Sequence, residues 1–185
     1  MNNPNVLTLI GGISQSSLNK RLYDEVVKHN TTSLRFQTFD IASLPFFSQD
    51  IENNPPENVV NFQQAVKKAD AVLIITPEYN RSFPGVLKNA IDWGSRPPGN
   101  NLWKRKPVAT MGASGGKIGT FGAQQHLKNI LCFLDTKLMN QPEFYFDASA
   151  SMDENGIIAG SVAFLQKYLA AFEQLIIKNE TYQES

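Results

Sequence analysis

Three stretches of the chain carry the residue types from which a binding site could be built. The first, GGISQSSLN at 11–19, offers two glycines, three serine hydroxyls and an asparagine ahead of a helical pattern. Gly12 permits close backbone approach, Ser14 and Ser17 supply hydroxyls, and a helix opening at Leu18 and Asn19 would present free N–H groups and the positive end of its dipole, which together suit a phosphate. No Gly-Lys-Ser/Thr follows, and the spacing is not that of a dinucleotide-binding loop. The residue types fit a monophosphate, although a serine cap on a helix behind a glycine turn would use the same letters.

The second stretch, TPEYNRSFPG at 76–85, leaves an apolar run and can continue neither as strand nor as helix between Pro77 and Pro84. Tyr79 can flank a planar ring, and Asn80 can both donate and accept. The third, GASGGKIGTFG at 112–122, exposes backbone N–H groups around Ala113, Ser114, Gly115 and Gly116, where a heteroaromatic edge bearing carbonyl oxygens could be met. A monophosphate beside a flat, polar-edged ring describes FMN.

The elements that must hold these loops are legible as alternating patterns. Apolar runs at 6–10, 34–39, 71–76 and 107–111 read as buried strands, with a fifth around 144–146. Between them Leu18, Leu22 and Val26, then Val59, Phe62, Val66 and Ala69, mark helical stripes. Further helices follow at Leu87, Ala90 and Ile91, at Leu127, Ile130, Leu131 and Leu134, and from Ile158 through Ile176. Five strand–helix repeats with right-handed crossovers predict an α/β, doubly wound, five-stranded parallel sheet of flavodoxin-like order 2-1-3-4-5, with helices on both faces. Such sheets bind ligands beyond the carboxyl ends of the strands at the switch point, which is where all three loops fall.

The chain has 185 residues and equal numbers of basic and acidic side chains, 17 each, which predicts one domain over 1–185 and no global field for nucleic acid or an anionic membrane. Cys132 is the only cysteine, so no internal disulfide or multi-cysteine metal site can form, and its place among apolar helical positions predicts a buried thiol. His29 and His126 have no second ligand nearby in sequence, so no metal site is expected. The N-terminal MNNPNVLTLIGG lacks a basic n-region and a full apolar h-region, and no stretch is long enough to span a bilayer. The expectation is a cytoplasmic protein. Trp103, in RPPGNNLWKRK, either covers a neighbouring subunit's site or packs on its own domain.

The segment PEYNRSFPGVLKNAIDW at 77–93, supported by the glycine-rich stretch at 112–122, resembles the signature of the NADPH-dependent FMN reductases, a flavodoxin-like family that includes quinone, azo and chromate reductases. The resemblance runs from the first strand to the last helix. It implies that Pro77, Glu78, Tyr79 and Asn80 line the isoalloxazine and that Ser114 with its glycine neighbours meets the pyrimidine edge. It also implies a homodimer or homotetramer, with no separate catalytic side chain. Hydride would pass from NADPH or NADH to flavin N5 and then, in ping-pong fashion, to a quinone, azo, flavin or metal-oxyanion acceptor. In the first loop Ser17, Leu18 and Asn19 match the family pattern, while Gly12 and Ser14 stand where Ser and Arg are expected; Lys20 or Arg21 could replace the missing charge. A flavodoxin-like one-electron carrier and a non-catalytic flavin-sensing module are the alternatives.

Overall fold

The computed structural model describes residues 3–183. The chain runs β1 (Asn5–Ile10), α1 (Leu18–Lys28), β2 (Arg35–Thr38), a 3-10 turn (Ile41–Ser43), α2 (Glu57–Lys68), β3 (Ala71–Ile75), α3 (Gly85–Gly94), β4 (Pro107–Ser114) and α4 (Phe121–Phe133). Then come β5 (Lys137–Leu138), β6 (Phe144–Asp147), α5 (Ala148–Ser151), β7 (Met152–Asp153), β8 (Gly156–Ile157) and α6 (Ala159–Gln183). The main sheet is parallel, in the order β2-β1-β3-β4-β5, as the alternation predicts.

Its fifth position is shared by two strands. Pro107 and Val108 of β4 pair with Lys137 and Leu138 of β5, whereas Met111 to Ser114 pair with Phe144 to Asp147 of β6. Pro142, which has no N–H to give a ladder, lies in the gap. The expected strand at 144–146 is thus β6, and β5 is a two-residue piece too short to leave a periodic signal.

Both faces of the central strands are covered, which is why β3 reads Ala-Val-Leu-Ile-Ile and is buried at every position. Side chains alternate between two cores. Leu7, Leu9, Val72, Ile74 and Val108 face α2, α3 and α4 with Phe62, Leu87 and Trp93. Val6, Leu73, Ile75, Ala109 and Met111 face α1 and α6 with Leu22, Leu169 and Phe172. Trp103 is fully buried in its own chain, donating its indole N–H to the Ile91 carbonyl at 2.8 Å. Gly94 makes room for it, since a Cβ there would lie 2.6 Å from the indole. Cys132 corrects the expectation of burial: it is exposed on the outer side of α4.

The β7–β8 hairpin, absent from the sequence reading, is strapped to α1. Glu25, 7% exposed, accepts the Ile157 N–H at 3.0 Å, and Arg21 donates to the Asp153 carbonyl. Burial alone would raise the Glu25 carboxyl, but the Ile157 N–H, Lys28 and His29 outweigh it and hold the group below the usual carboxylate range.

The edge of the sheet where the strands begin is basic. Lys67, Lys68, Lys104, Arg105 and Lys106 line a cavity of about 250 Å³ there, and Lys137 and Lys178 line an adjoining one. Asp70 shares this lining and acts on Lys106 electrostatically, but none of the basic side chains makes a direct ion pair among the described residues. No helix among the described residues is long and apolar enough to cross a membrane.

Candidate active site

The three loops meet at the carboxyl edge of β1, β3 and β4, and side chains bind them to one another. Asn19, 2% exposed on the first turn of α1, donates its amide to the Ala113 carbonyl at 3.1 Å and accepts the Ala113 N–H at 2.9 Å. One side chain therefore fixes the first loop to the end of β4. Gly11 donates its N–H to Ile75 at 2.8 Å and lies between Pro77 and Pro84, where a Cβ would approach both rings to within 3.4 Å. The first and second loops are thereby held together.

In the first loop Ser17 caps α1, its hydroxyl accepting the N–H groups of Asn19 at 3.2 Å and Lys20 at 3.4 Å. Gly12 permits this, because a Cβ at that position would lie 2.2 Å from the Ser17 oxygen. Leu18 is half-buried against the α1/α6 core. The side chains of Ser17, Leu18 and Asn19 are therefore occupied within the protein, while Ser14 and Ser16 are exposed. Among the described residues no hydrogen bond engages the N–H groups of Ser14, Gln15 or Ser16. The Lys20 ammonium bends back to the Ile13 carbonyl at 3.1 Å, placing a positive charge on the loop that lacks the family arginine. Arg21 does not share this task, being tied to Asp153. Open donors, two free hydroxyls and one ammonium make a cradle that fits a phosphate.

In the second loop Tyr79 and Ser82 exchange backbone hydrogen bonds at 2.8 and 3.0 Å across Asn80 and Arg81, whose φ angles of 51° and 65° are those of a type I′ turn. Asparagine tolerates this conformation; for Arg81 it costs backbone strain. Tyr79 is held out at 55% exposure, as a ring-flanking residue would be. Pro77 is buried. Glu78 turns the other way: one carboxylate oxygen accepts the Ala123 N–H at 3.1 Å at the start of α4, and the other meets Arg81 at 3.2 Å. A negative charge at a helix N-terminus is favourable, and the contact fixes the second loop to the third. Ser82 and His126 Nδ1 form a 2.8 Å hydrogen bond that adds to this join.

In the third loop Gly112 is sterically required, since a Cβ would lie 2.1 Å from the Thr76 carbonyl. Beside Gly115 and Gly116 a Cβ would meet nothing within 4 Å, so that face of the loop is open. Ser114 donates its hydroxyl to the Gly116 carbonyl at 2.9 Å, and the Ala113 N–H is already taken by Asn19. The donors left to a ligand therefore begin beyond Ala113. Behind the loop Thr120 and Gln124 form a buried network: Gln124 donates to Thr120 at 3.0 Å and to the Phe144 carbonyl at 2.9 Å, and accepts from Thr110 at 3.2 Å.

Between the second and third loops lies a cleft of about 420 Å³, lined by Glu78, Asn80, Arg81, Ser114, Lys117 and Ile118 among others. A second, of about 280 Å³, opens beside the first loop between Gly12, Lys20 and the turn after β2. The 44–56 segment that follows this turn is held by two side chains of α3. Asn89 accepts the Phe47 N–H at 2.8 Å and donates to the Pro45 carbonyl at 2.9 Å, and the Trp93 indole N–H reaches the same carbonyl at 2.8 Å. The second half of the 77–93 stretch thus holds the 44–56 segment, while its first half lines the larger cleft.

Comparison with known proteins bears on this arrangement. The model of the NADPH-dependent FMN reductase family matches residues 4–151. A 2-hydroxy-1,4-benzoquinone reductase from Burkholderia sp is 44% identical over 168 residues, covering 90% of this chain and 91% of the relative. An NAD(P)H-dependent FMN reductase from Pseudomonas aeruginosa is 37% identical, with 91% and 92% covered. Among solved structures, the flavoenzyme NAD(P)H:(acceptor) oxidoreductase FerB of Paracoccus denitrificans superposes with a TM-score of 0.89 at 39% identity, over 95% of this chain and 98% of that one. The chain belongs to the NADPH-dependent FMN reductase family.

Proposed function

We propose that this oxidoreductase binds FMN in a single domain, with the phosphate in the 12–19 loop and the ring between Pro77–Asn80 and Ala113–Gly116, and that it reduces quinone-class acceptors with NAD(P)H. When bound, FMN supplies a centre that takes hydride from the nicotinamide and returns it to the acceptor, the two substrates using one cleft in turn. The chain's own residues hold and surround that centre. The N–H groups of 14–16 and the Lys20 ammonium balance the phosphate charge, Tyr79 and Asn80 form one wall of the ring site, and the open Gly115–Gly116 backbone faces the ring's polar edge. The name of the Burkholderia relative supports a quinone as acceptor. The observation that carries the reading is the Asn19–Ala113 pair, because it fixes the phosphate cradle against the ring-edge loop.

The test is the visible spectrum of the purified protein with added FMN, followed under anaerobic conditions by stoichiometric NADPH and then NADH. The expected result is a perturbed, saturable flavin spectrum that bleaches rapidly with at least one nucleotide and recovers on adding a quinone. FMN binding without reduction by either nucleotide would move the assignment to an electron carrier, and absence of FMN binding would overturn it.

A further inference from the structure

The cleft between the second and third loops contains three ionisable residues, Glu78, Arg81 and Lys117. Two of them neutralise each other: Glu78 meets Arg81 at 3.2 Å, and its remaining oxygen is committed to the Ala123 N–H. Lys117 is different. It is exposed and, among the described residues, has neither a hydrogen bond nor an ion pair. It follows Gly115 and Gly116, beside which there is open space, and precedes Ile118, 48% exposed. An uncompensated cation with a low-dielectric neighbour sets the sign of the field at the mouth of a small cleft.

Resting on the reading above, in which the ring lies between these loops and nucleotide and acceptor reach it in turn at the mouth of this cleft, we propose that Lys117 is the cleft's specificity-determining charge and favours ligands that bring an anionic oxygen to the mouth. Two sources of that chemistry fit. One is the 2′-phosphate that distinguishes NADPH from NADH. The other is the ionised oxygen of a hydroxyquinone, which is a vinylogous carboxylic acid and is deprotonated at neutral pH, whereas an unsubstituted quinone offers only neutral carbonyls. A water-accessible pair of this kind corresponds to roughly a two- to fivefold preference, and it weakens as salt screens it.

The test uses FMN-loaded protein in its oxidised form and measures binding directly by calorimetry at low and high salt, with no reductant present. The probes are two matched pairs: 2-hydroxy-1,4-naphthoquinone against 1,4-naphthoquinone, and NADP+ against NAD+. In Lys117→Gln the charged-to-neutral affinity ratio of at least one pair falls roughly two- to fivefold at low salt, and Lys117→Arg restores it. A fall confined to the quinone pair assigns the acceptor, and one confined to the nucleotide pair assigns the 2′-phosphate. Ratios unchanged in Lys117→Gln, or equal losses for charged and neutral ligands, overturn the assignment while leaving the reductase reading intact. Failure of the wild-type protein to take up FMN overturns that reading and this assignment with it.

Discussion

Asn19 joins two segments that lie 94 positions apart, and each of its bonds satisfies a buried backbone group of Ala113. Asn19→Ala would leave that N–H and carbonyl unpaired, a loss on the order of 2–3 kcal/mol. Urea unfolding should show the drop, and an FMN titration should show weaker binding because the cradle and the ring-edge loop are no longer fixed together. An undiminished FMN affinity in a destabilised variant would refute the coupling. At this scale the sequence discloses residue types but not their partners. Ser17, Leu18 and Asn19 are recognisable as a motif, yet the structure gives their side chains internal duties, and it is Ser14 that stays exposed and Lys20 that returns to the Ile13 carbonyl. Glu78 is equally opaque in one dimension, since the helix it caps begins 43 residues later at Phe121.

Among the elements, those with long apolar periodicity were legible and those without it were not. β1 and β3 announce themselves by near-continuous apolar runs, and the Val59, Phe62, Val66 stripe of α2 is fully buried as its spacing requires. The β7–β8 hairpin has two residues per strand, and its place is set by polar contacts with α1, which no periodicity reports. Its dependence on Glu25 makes it sensitive to acid. A carboxyl held below its ordinary value in the folded state stabilises the fold above the unfolded value and loses that contribution as pH falls through the folded one. The stability advantage of the wild type over Glu25→Gln should therefore be full at neutral pH and vanish in acid. Paired denaturation curves across that range check it, and a pH-independent difference would refute it.

For the molecule as a whole, the alternation of strands and helices was enough to place the switch point, because strand order and crossover hand leave few other arrangements. The shared fifth strand position was not accessible, since it depends on which part of β4 each short strand meets. Nor could spacing decide between the two placements of Trp103; only the 2.6 Å clearance problem at Gly94 shows how closely that ring is fitted to its own chain. The basic edge beneath the sheet has a consequence for handling the protein. With a formal net charge of +0 at pH 7, the chain should be indifferent to ion-exchange resins, yet Lys67, Lys68, Lys104, Arg105, Lys106, Lys137 and Lys178 are gathered at the end opposite the cleft. It should adsorb to a negatively charged support in low salt, elute earlier when Lys104 and Arg105 are both changed to Gln, and sit on the surface with its cleft turned outward, a self-orienting film on an electrode that needs no chemical tether.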